Sequence, residues 1–159
     1  AREGHVALLV GTTAGHLGQS AILAEVFHRI EGDAPDVDLV AEKLHGDFIR
    51  ANAQWIDACT DLSDGGLALA AFEMAETGGT GVSLDSADTH ILFGEDQARY
   101  LIACTYDQAE ALMVAAGSAG VPIASVGKFG GDNVSMGDSS APLADLATLF
   151  RTTFADTFA

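Results

Sequence analysis

Positive charge is scarce in this chain. Its 159 residues include only 7 Lys plus Arg against 23 Asp plus Glu, which gives a formal net charge of −16 at pH 7. Nucleic acids and anionic membranes bind proteins through cationic side chains, so we expect neither as a partner of the chain on its own. A phosphate-bearing ligand would need either a bridging metal ion or cationic groups from another domain.

Long apolar runs, a signal-peptide pattern and metal-type cysteine spacing are also missing. No apolar run approaches the roughly 20 residues that a membrane span requires, and no signal-peptide pattern opens the sequence. The two cysteines, Cys59 and Cys104, each lie within an apolar run. This placement predicts buried free thiols, and it favours a cytoplasmic protein.

The composition favours a single folded domain over residues 1–159. Hydrophobic residues make up 48% of the chain and there are 18 glycines, which argues against disorder. No internal repeat or linker-like segment divides the sequence. The first residue is Ala1 and not Met, so we expect a processed chain or a piece excised from a longer protein.

Strand-like and helix-like spacings of apolar residues alternate along the chain. Strands are predicted over residues 5–11, 55–61, 82–84, 98–105, 121–129 and 133–136, the last two forming a hairpin around residues 128–131. Helices are predicted over residues 19–30, 37–53, 67–76, 107–116 and 143–158. This interleaving predicts an α/β or α+β fold in which a mixed sheet is packed with helices.

Asp36 and Asp107 are the predicted N-caps of the second and fourth helices, and Gly78-Gly79 is the predicted end of the third. The predicted apolar face of the third helix consists of Leu67, Ala70, Ala71 and Met74, and that of the last helix of Leu146, Leu149, Phe150 and Phe154.

The segment from residue 61 to 67 (DLSDGGL) carries the most information about chemistry. It joins an apolar strand to an amphipathic helix, and either Ser63 or Asp64 could cap the first helical turn. Gly65 and Gly66 would let a ligand approach the backbone closely. The helix N-terminus could then bind a phosphate, with a magnesium ion offsetting the repulsion from the carboxylates of Asp61 and Asp64. The alternative is a capped helix with an acidic first turn.

A second polar segment, Glu95, Asp96 and Gln97, precedes the strand predicted over residues 98–105. These side chains can bind a polar ligand, and the nearby Arg99 can pair with a carboxylate. The alternative is a solvated loop in which Arg99 is tied to a neighbouring acid.

The glycine-rich segment over residues 11–20 (GTTAGHLGQS) matches neither the GxGxxG nor the GxxxxGK[ST] pattern, so dinucleotide and P-loop sites are rejected. His16 lies in this segment without a visible partner, which favours an ordinary loop histidine over an acid–base catalyst. No nucleophile–histidine pairing is suggested, and we predict no catalytic residue in this chain.

Taken together and in this order, these segments resemble one family. Residues 61–75 (DLSDGGLALAAFEMA) are similar to the DxSDGGLaxAxxEMA stretch of the phosphoribosylformylglycinamidine synthase family. Residues 93–100 (FGEDQARY) are similar to its LFGExQxRY stretch. The opening strand with its glycine loop and the late strand around residues 126–128 also match, so the resemblance spans nearly the whole chain.

The resemblance implies the C-terminal domain of the large synthetase subunit, with the fold of the aminoimidazole ribonucleotide synthetase C-terminal domain. It implies an ATP-dependent ligase of purine biosynthesis that converts formylglycinamide ribonucleotide and glutamine-derived ammonia to formylglycinamidine ribonucleotide. ATP and Mg²⁺ would be cofactors of the intact enzyme. The partners would be the preceding domains of the subunit, a glutaminase subunit and the small ribonucleotide substrate.

The same resemblance implies which residues form the site. Gly65, Gly66, Glu95, Asp96 and Gln97 would bind substrate or nucleotide, and Asp61 would be a magnesium ligand.

Two other functions remain open at this stage. The domain could be a non-catalytic module that holds an auxiliary nucleotide or forms a subunit interface. It could also be a phosphotransferase similar to thiamine-monophosphate kinase, a reading that Glu73-Met74 and residues 93–100 disfavour.

Overall fold

Seven strands form one mixed sheet in the computed structural model, which describes the backbone of residues 1–158 and the side chains of residues 1–153 and 157. The strands are β1 (Val6–Val10), β2 (Ala58–Asp61), β3 (Val82–Leu84), β4 (Tyr100–Cys104), β5 (Ile123–Phe129), β6 (Asn133–Met136) and β7 (Ser139–Pro142). Their order across the sheet is β2-β4-β1-β5-β3-β6-β7. The β3–β6 pair is parallel and the other neighbours are antiparallel, so the predicted mixed sheet is confirmed.

Helices cover both faces of this sheet. Residues 1–158 contain five α-helices: α1 (Leu39–Ala51), α2 (Gly66–Gly78), α3 (Thr89–Phe93), α4 (Tyr106–Ala119) and α5 (Leu143–Phe158). Each of the predicted strands has a counterpart, whereas α3 and β7 are additions that sequence spacing missed. None of the described helices is both long enough and apolar enough to cross a membrane.

The sheet separates two hydrophobic cores, and β1 contributes to both. Ala7 and Leu9 belong to the core that also contains α2, whereas Leu8 and Val10 belong to the core beneath α4 and Phe48 of α1. Successive side chains of a strand point to opposite faces, so a central strand covered on both sides is apolar at every position. This explains why the opening strand is a continuous apolar run.

Helix α2 packs as its apolar spacing predicts. Leu67, Ala70, Ala71 and Met74 are all buried in the core on their side of the sheet. The helix ends at Gly79, which takes the left-handed conformation (φ +64°) and closes the last turn by donating its N–H to Ala75 and Glu76. The glycine stop predicted for this helix is therefore confirmed.

The prediction of a helix over residues 19–30 is wrong. Only a five-residue π-helix forms there, Ile22–Val26, and both Gln19 (φ +58°) and His28 (φ +53°) take left-handed conformations. Val26 is 64% exposed and Ile30 is 84% exposed, so the apolar spacing has no core surface to pack on within this chain. Apolar periodicity produces a stable helix mainly when its face is buried.

Three predicted helix caps also need correction. Asp38, not Asp36, caps α1 by accepting from the N–H groups of Val40 and Ala41. Thr105, not Asp107, caps α4 in a reciprocal capping box with Gln108. The cap of α2 is supplied from a distant segment and is described below with the site.

The predicted hairpin between β5 and β6 does not form, because β3 lies between them and pairs with both. The prediction of a buried Cys59 is likewise wrong: Cys59 is exposed on the edge strand β2, whereas Cys104 is buried as predicted. Helix α5 is confirmed. The side chain of Phe154, part of its predicted apolar face, lies outside the described residues.

Candidate functional site

A buried arginine organises the loop between α3 and β4. Arg99 is 1% exposed, and its Nε donates to the carbonyl oxygen of Asp96 at 3.1 Å. Its Nη atoms donate to the carbonyl of Gly94 and, at 3.3 Å, to the hydroxyl of Thr13 in the glycine loop. Burial lowers the pKa of the Arg99 guanidinium, and the negative charges of Asp96 and Glu95 oppose that shift. Arg99 therefore fixes this loop to the glycine loop as a buried cation.

Asp96 binds the same glycine loop through its carboxylate. Its side-chain oxygens accept from the backbone N–H groups of Ala14, Gly15 and His16 at 3.1, 3.0 and 3.2 Å. Asp96 is also buried and lies 3.8 Å from the Arg99 guanidinium. Successive backbone N–H groups of this kind form an anion-binding concavity, and here the protein's own carboxylate occupies it.

Glu95 caps helix α2 from across the site. Its Oε1 atom accepts from the N–H of Gly65 and from the N–H of Ala21, both at 2.8 Å. A carboxylate at a helix N-terminus is stabilised by the helix dipole. Glu95 therefore does what was predicted for Ser63 or Asp64, both of which are exposed and make no cap hydrogen bond.

Gly65 and Gly66 are both required by the backbone. Gly65 has φ +76° and Gly66 has φ +59°, which are left-handed conformations that side chains disfavour. A Cβ atom at Gly66 would lie 2.5 Å from the carbonyl oxygen of Gly94. At Gly66, the close approach that a glycine allows is thus made by the protein's own loop before β4.

A cleft of about 570 Å³ opens where β2 and β4 meet α1. Asp61 pairs with Tyr100 across the two strands, and the cleft brings Asp61 and Gln97 together. Asp61 and Gln97 therefore border the same cleft beside the edge strand β2. Glu95 and Asp96 do not line the cleft. The lining is formed by Glu42, Ile49, residues 59–63 and residues 97–100.

The cleft has a negative character. Burial raises the pKa of the Tyr100 hydroxyl, and the carboxylates of Glu42 and Asp61 raise it further, so Tyr100 stays protonated and can donate. Although the Cys59 residue is exposed overall, desolvation of its thiol and the charge of Asp61 raise the thiol pKa to about 11. A thiol with such a pKa is a poor nucleophile at neutral pH.

The described residues alone do not form a complete metal shell. No group of three or more His, Cys, Asp or Glu among them could hold a metal ion. In the cleft, the Glu42 carboxylate already accepts from the N–H of Ala98 at 2.8 Å. Asp61 is the other carboxylate of the cleft, and a single carboxylate would leave most of the Mg²⁺ shell to be filled by other oxygens.

His16 has a structural partner. Its Nε2 atom is 2.8 Å from the carbonyl oxygen of Asp33, which agrees with an ordinary loop histidine. Sequence reasoning missed two other residues, Glu42 and His45 of α1. Their spacing puts them on one helix face, but nothing local to α1 indicates that this face meets Ala98.

Comparison with known proteins gives consistent matches. The family model described as "AIR synthase related protein, C-terminal domain" matches residues 2–137. The phosphoribosylformylglycinamidine synthase subunit PurL of Ruegeria sp. (strain TM1040) is 66% identical over 159 residues, which is all of this chain and 22% of that protein. PurL of Ruegeria pomeroyi is 70% identical over 154 residues, 97% of this chain and 21% of that protein. The chain thus spans about a fifth of the length of these curated relatives.

Solved structures show the same fold at low sequence identity. Thermotoga maritima PurL complexed with FGAR superposes with a TM-score of 0.75 at 19% identity, covering 92% of this chain and 28% of that chain. T. maritima PurL complexed with ATP gives 0.67 at 20% identity, with coverages of 92% and 26%. The structure of PurLQS from T. maritima gives 0.70 at 18% identity, also with coverages of 92% and 26%.

Proposed function

Because this chain belongs to the AIR synthase related protein C-terminal domain family, we propose that it is the C-terminal domain of the large subunit of phosphoribosylformylglycinamidine synthase. The observation that carries the proposal is the 66% identity to a PurL subunit over all 159 residues. The match to 22% of that protein supports one domain within a longer, multidomain chain.

The complete enzyme would be an ATP-dependent ligase of purine biosynthesis. It would convert formylglycinamide ribonucleotide and glutamine-derived ammonia to formylglycinamidine ribonucleotide in the cytoplasm. Preceding domains of the same subunit and a glutaminase subunit would be its partners. The PurL structure with ATP and the PurLQS structure support a nucleotide ligand and a multisubunit assembly, respectively.

Within that enzyme, the cleft at Asp61 and Gln97 would take part in binding substrate or nucleotide. Gln97 is exposed and can both donate and accept hydrogen bonds. Asp61 would be one ligand of a Mg²⁺ ion whose remaining ligands include phosphate oxygens. A chain with a net charge of −16 needs such an ion, or cations of other domains, to offset the repulsion of a phosphate.

The proposal predicts that the 159-residue chain is inactive alone, whereas the full-length subunit is active. The full-length subunit with ATP, Mg²⁺, formylglycinamide ribonucleotide and ammonia should form formylglycinamidine ribonucleotide, ADP and inorganic phosphate. The isolated chain should release no ADP, because the described part of the chain contains neither a phosphate-binding lysine loop nor a complete metal shell. ATP turnover by the isolated chain that is lost in Asp61→Asn would favour a self-sufficient phosphotransferase.

A second role for the domain within the same enzyme is an auxiliary nucleotide or interface module. One observation favours it: the carboxylates of Glu95 and Asp96 are hydrogen-bonded to backbone N–H groups of the domain itself. Two of the polar groups expected to face a ligand are thereby engaged, and Gln97 and Asp61 are left in the cleft.

Substitution of Gln97 distinguishes a site at the reacting centre from an auxiliary nucleotide site. We expect Gln97→Ala in the full-length subunit to keep kcat within about twofold of the unsubstituted enzyme, as an auxiliary site requires. The nucleotide content of the purified subunit should fall in both Gln97→Ala and Asp61→Ala, because both residues line the cleft. A drop in kcat of about tenfold or more for Gln97→Ala, with KM unchanged, would instead place Gln97 at the reacting centre.

A further inference from the structure

Ala98 has an unusual backbone conformation at the wall of the cleft. Its φ is +58°, which lies in the left-handed region that alanine disfavours because of its Cβ atom. It is one of three non-glycine residues among the described ones with positive φ. Such a conformation persists where the surroundings fix it from several sides.

Helix α1 supplies hydrogen bonds to both backbone groups of Ala98. The N–H of Ala98 donates to Oε1 of Glu42 at 2.8 Å, and its carbonyl oxygen accepts from Nδ1 of His45 at 2.7 Å. Since a carbonyl can only accept, Nδ1 of His45 must carry the proton. His45 itself is buried.

The turn at Ala98 determines where its two neighbours point. In an extended strand, residues two apart lie on the same face. Both residues border the cleft, but Gln97 is exposed there, whereas the side chain of Arg99 is fully buried. The left-handed residue between them breaks the alternation and allows one neighbour to face a ligand while the other anchors the loop.

We infer that Glu42 and His45 are positioning residues that hold Ala98 in the left-handed conformation. Through Ala98 they direct Gln97 into the cleft and keep the loop seated on the glycine loop. Glu42 acts as a hydrogen-bond acceptor in this role, and its negative charge is not required. The inference deepens the proposed function, since it explains how the ligand-facing side chain of the same site is placed.

Hydrogen–deuterium exchange in the full-length subunit tests the inference without a measurement of enzyme activity. Two sets of backbone amides outside α1 report on the loop. The first is the N–H groups of residues 14–16, which donate to the Asp96 carboxylate, and the second is the N–H of Leu62, which donates to the carbonyl oxygen of Arg99. Glu42→Ala should speed exchange of these reporters about tenfold or more. Glu42→Gln should stay close to the unsubstituted protein, because its side-chain oxygen still accepts from Ala98.

The double variant Glu42→Ala, Ala98→Gly gives the decisive comparison. Glycine adopts positive φ readily, so it should restore slow exchange of both reporters when the Glu42 contact is absent. If Glu42 only docked α1 onto the domain, Ala98→Gly would restore nothing. Asp47→Ala is the matched control, since it removes a carboxylate from the exposed side of α1 and should leave both reporters unchanged.

Three results would overturn the inference: unchanged exchange in Glu42→Ala, failure of Ala98→Gly to restore it, or equal damage by Glu42→Gln. If Glu42→Ala does not fold, the double variant must still fold. Kinetic measurements provide a further test, which rests on the proposed function. Glu42→Ala should change the KM and the nucleotide content to the same extent as Gln97→Ala. The double variant Glu42→Ala, Gln97→Ala should show no additional change in either quantity. An inactive unsubstituted subunit would refute the proposed function and leave the exchange result standing.

Discussion

Replacing Arg99 by leucine should lower the free energy of unfolding by about 3–5 kcal/mol, which is the usual loss when one partner of a buried ion pair is removed. The guanidinium is fully buried and donates to the carbonyls of Gly94 and Asp96. Leucine fills part of the space but donates to none of these oxygens. Urea denaturation of the 159-residue chain, followed by circular dichroism, measures the change.

Arg29→Leu is the matched control for Arg99→Leu. The Arg29 side chain is 63% exposed, and its ion pair with Glu31 lies at the surface. Exposed ion pairs contribute little, so this variant should change stability by less than about 1 kcal/mol. Equal losses in the two variants would show that the buried network around Arg99 has no special role in holding the loop.

Substitution of Gly66 by alanine should destabilise the chain by roughly 2–5 kcal/mol. About 1–2 kcal/mol of this arises from the left-handed conformation, φ +59°, which alanine disfavours. A further 1–3 kcal/mol or so arises from overpacking, because the new Cβ would lie 2.5 Å from the carbonyl oxygen of Gly94. Urea denaturation again provides the measurement.

Gly79→Ala isolates the second contribution. Gly79 has nearly the same conformation, φ +64°, but a Cβ there would meet nothing within 4 Å. It should therefore lose only the conformational part, about 1–2 kcal/mol. If Gly66→Ala lost no more than Gly79→Ala, the contact between the start of α2 and the loop before β4 would be looser than the structure indicates.

Local patterns predicted most of the elements because each depends on residues close in the chain. The continuous apolar run of β1 predicted a strand and the spaced apolar residues of α2 predicted a helix, and both sets of residues are buried in the cores. The segment over residues 19–30 carried a similar helical spacing but lacks a buried surface within this chain, so a π-helix of five residues formed instead. Spacing alone does not say whether a covering surface exists.

The sequence indicated which residues belong to the candidate site, but it did not indicate the directions of their side chains. Glu95, Asp96 and Gln97 are adjacent in sequence, yet the first caps α2, the second binds the glycine loop and the third faces the cleft. Sequence types indicate which atoms can donate or accept. They do not indicate which backbone N–H groups a carboxylate will meet after folding, because those groups belong to segments up to 82 residues away.

The sequence by itself determined the family and the mixed sheet with its helices. These follow from short motifs and local periodicity. The tertiary structure alone decided that β3 separates β5 from β6, that Glu95 replaces a local cap, and that α1 holds Ala98. The physical reason is that strand order and long-range hydrogen bonds depend on which distant parts of the chain come into contact, and the local spacing of residues does not indicate those contacts.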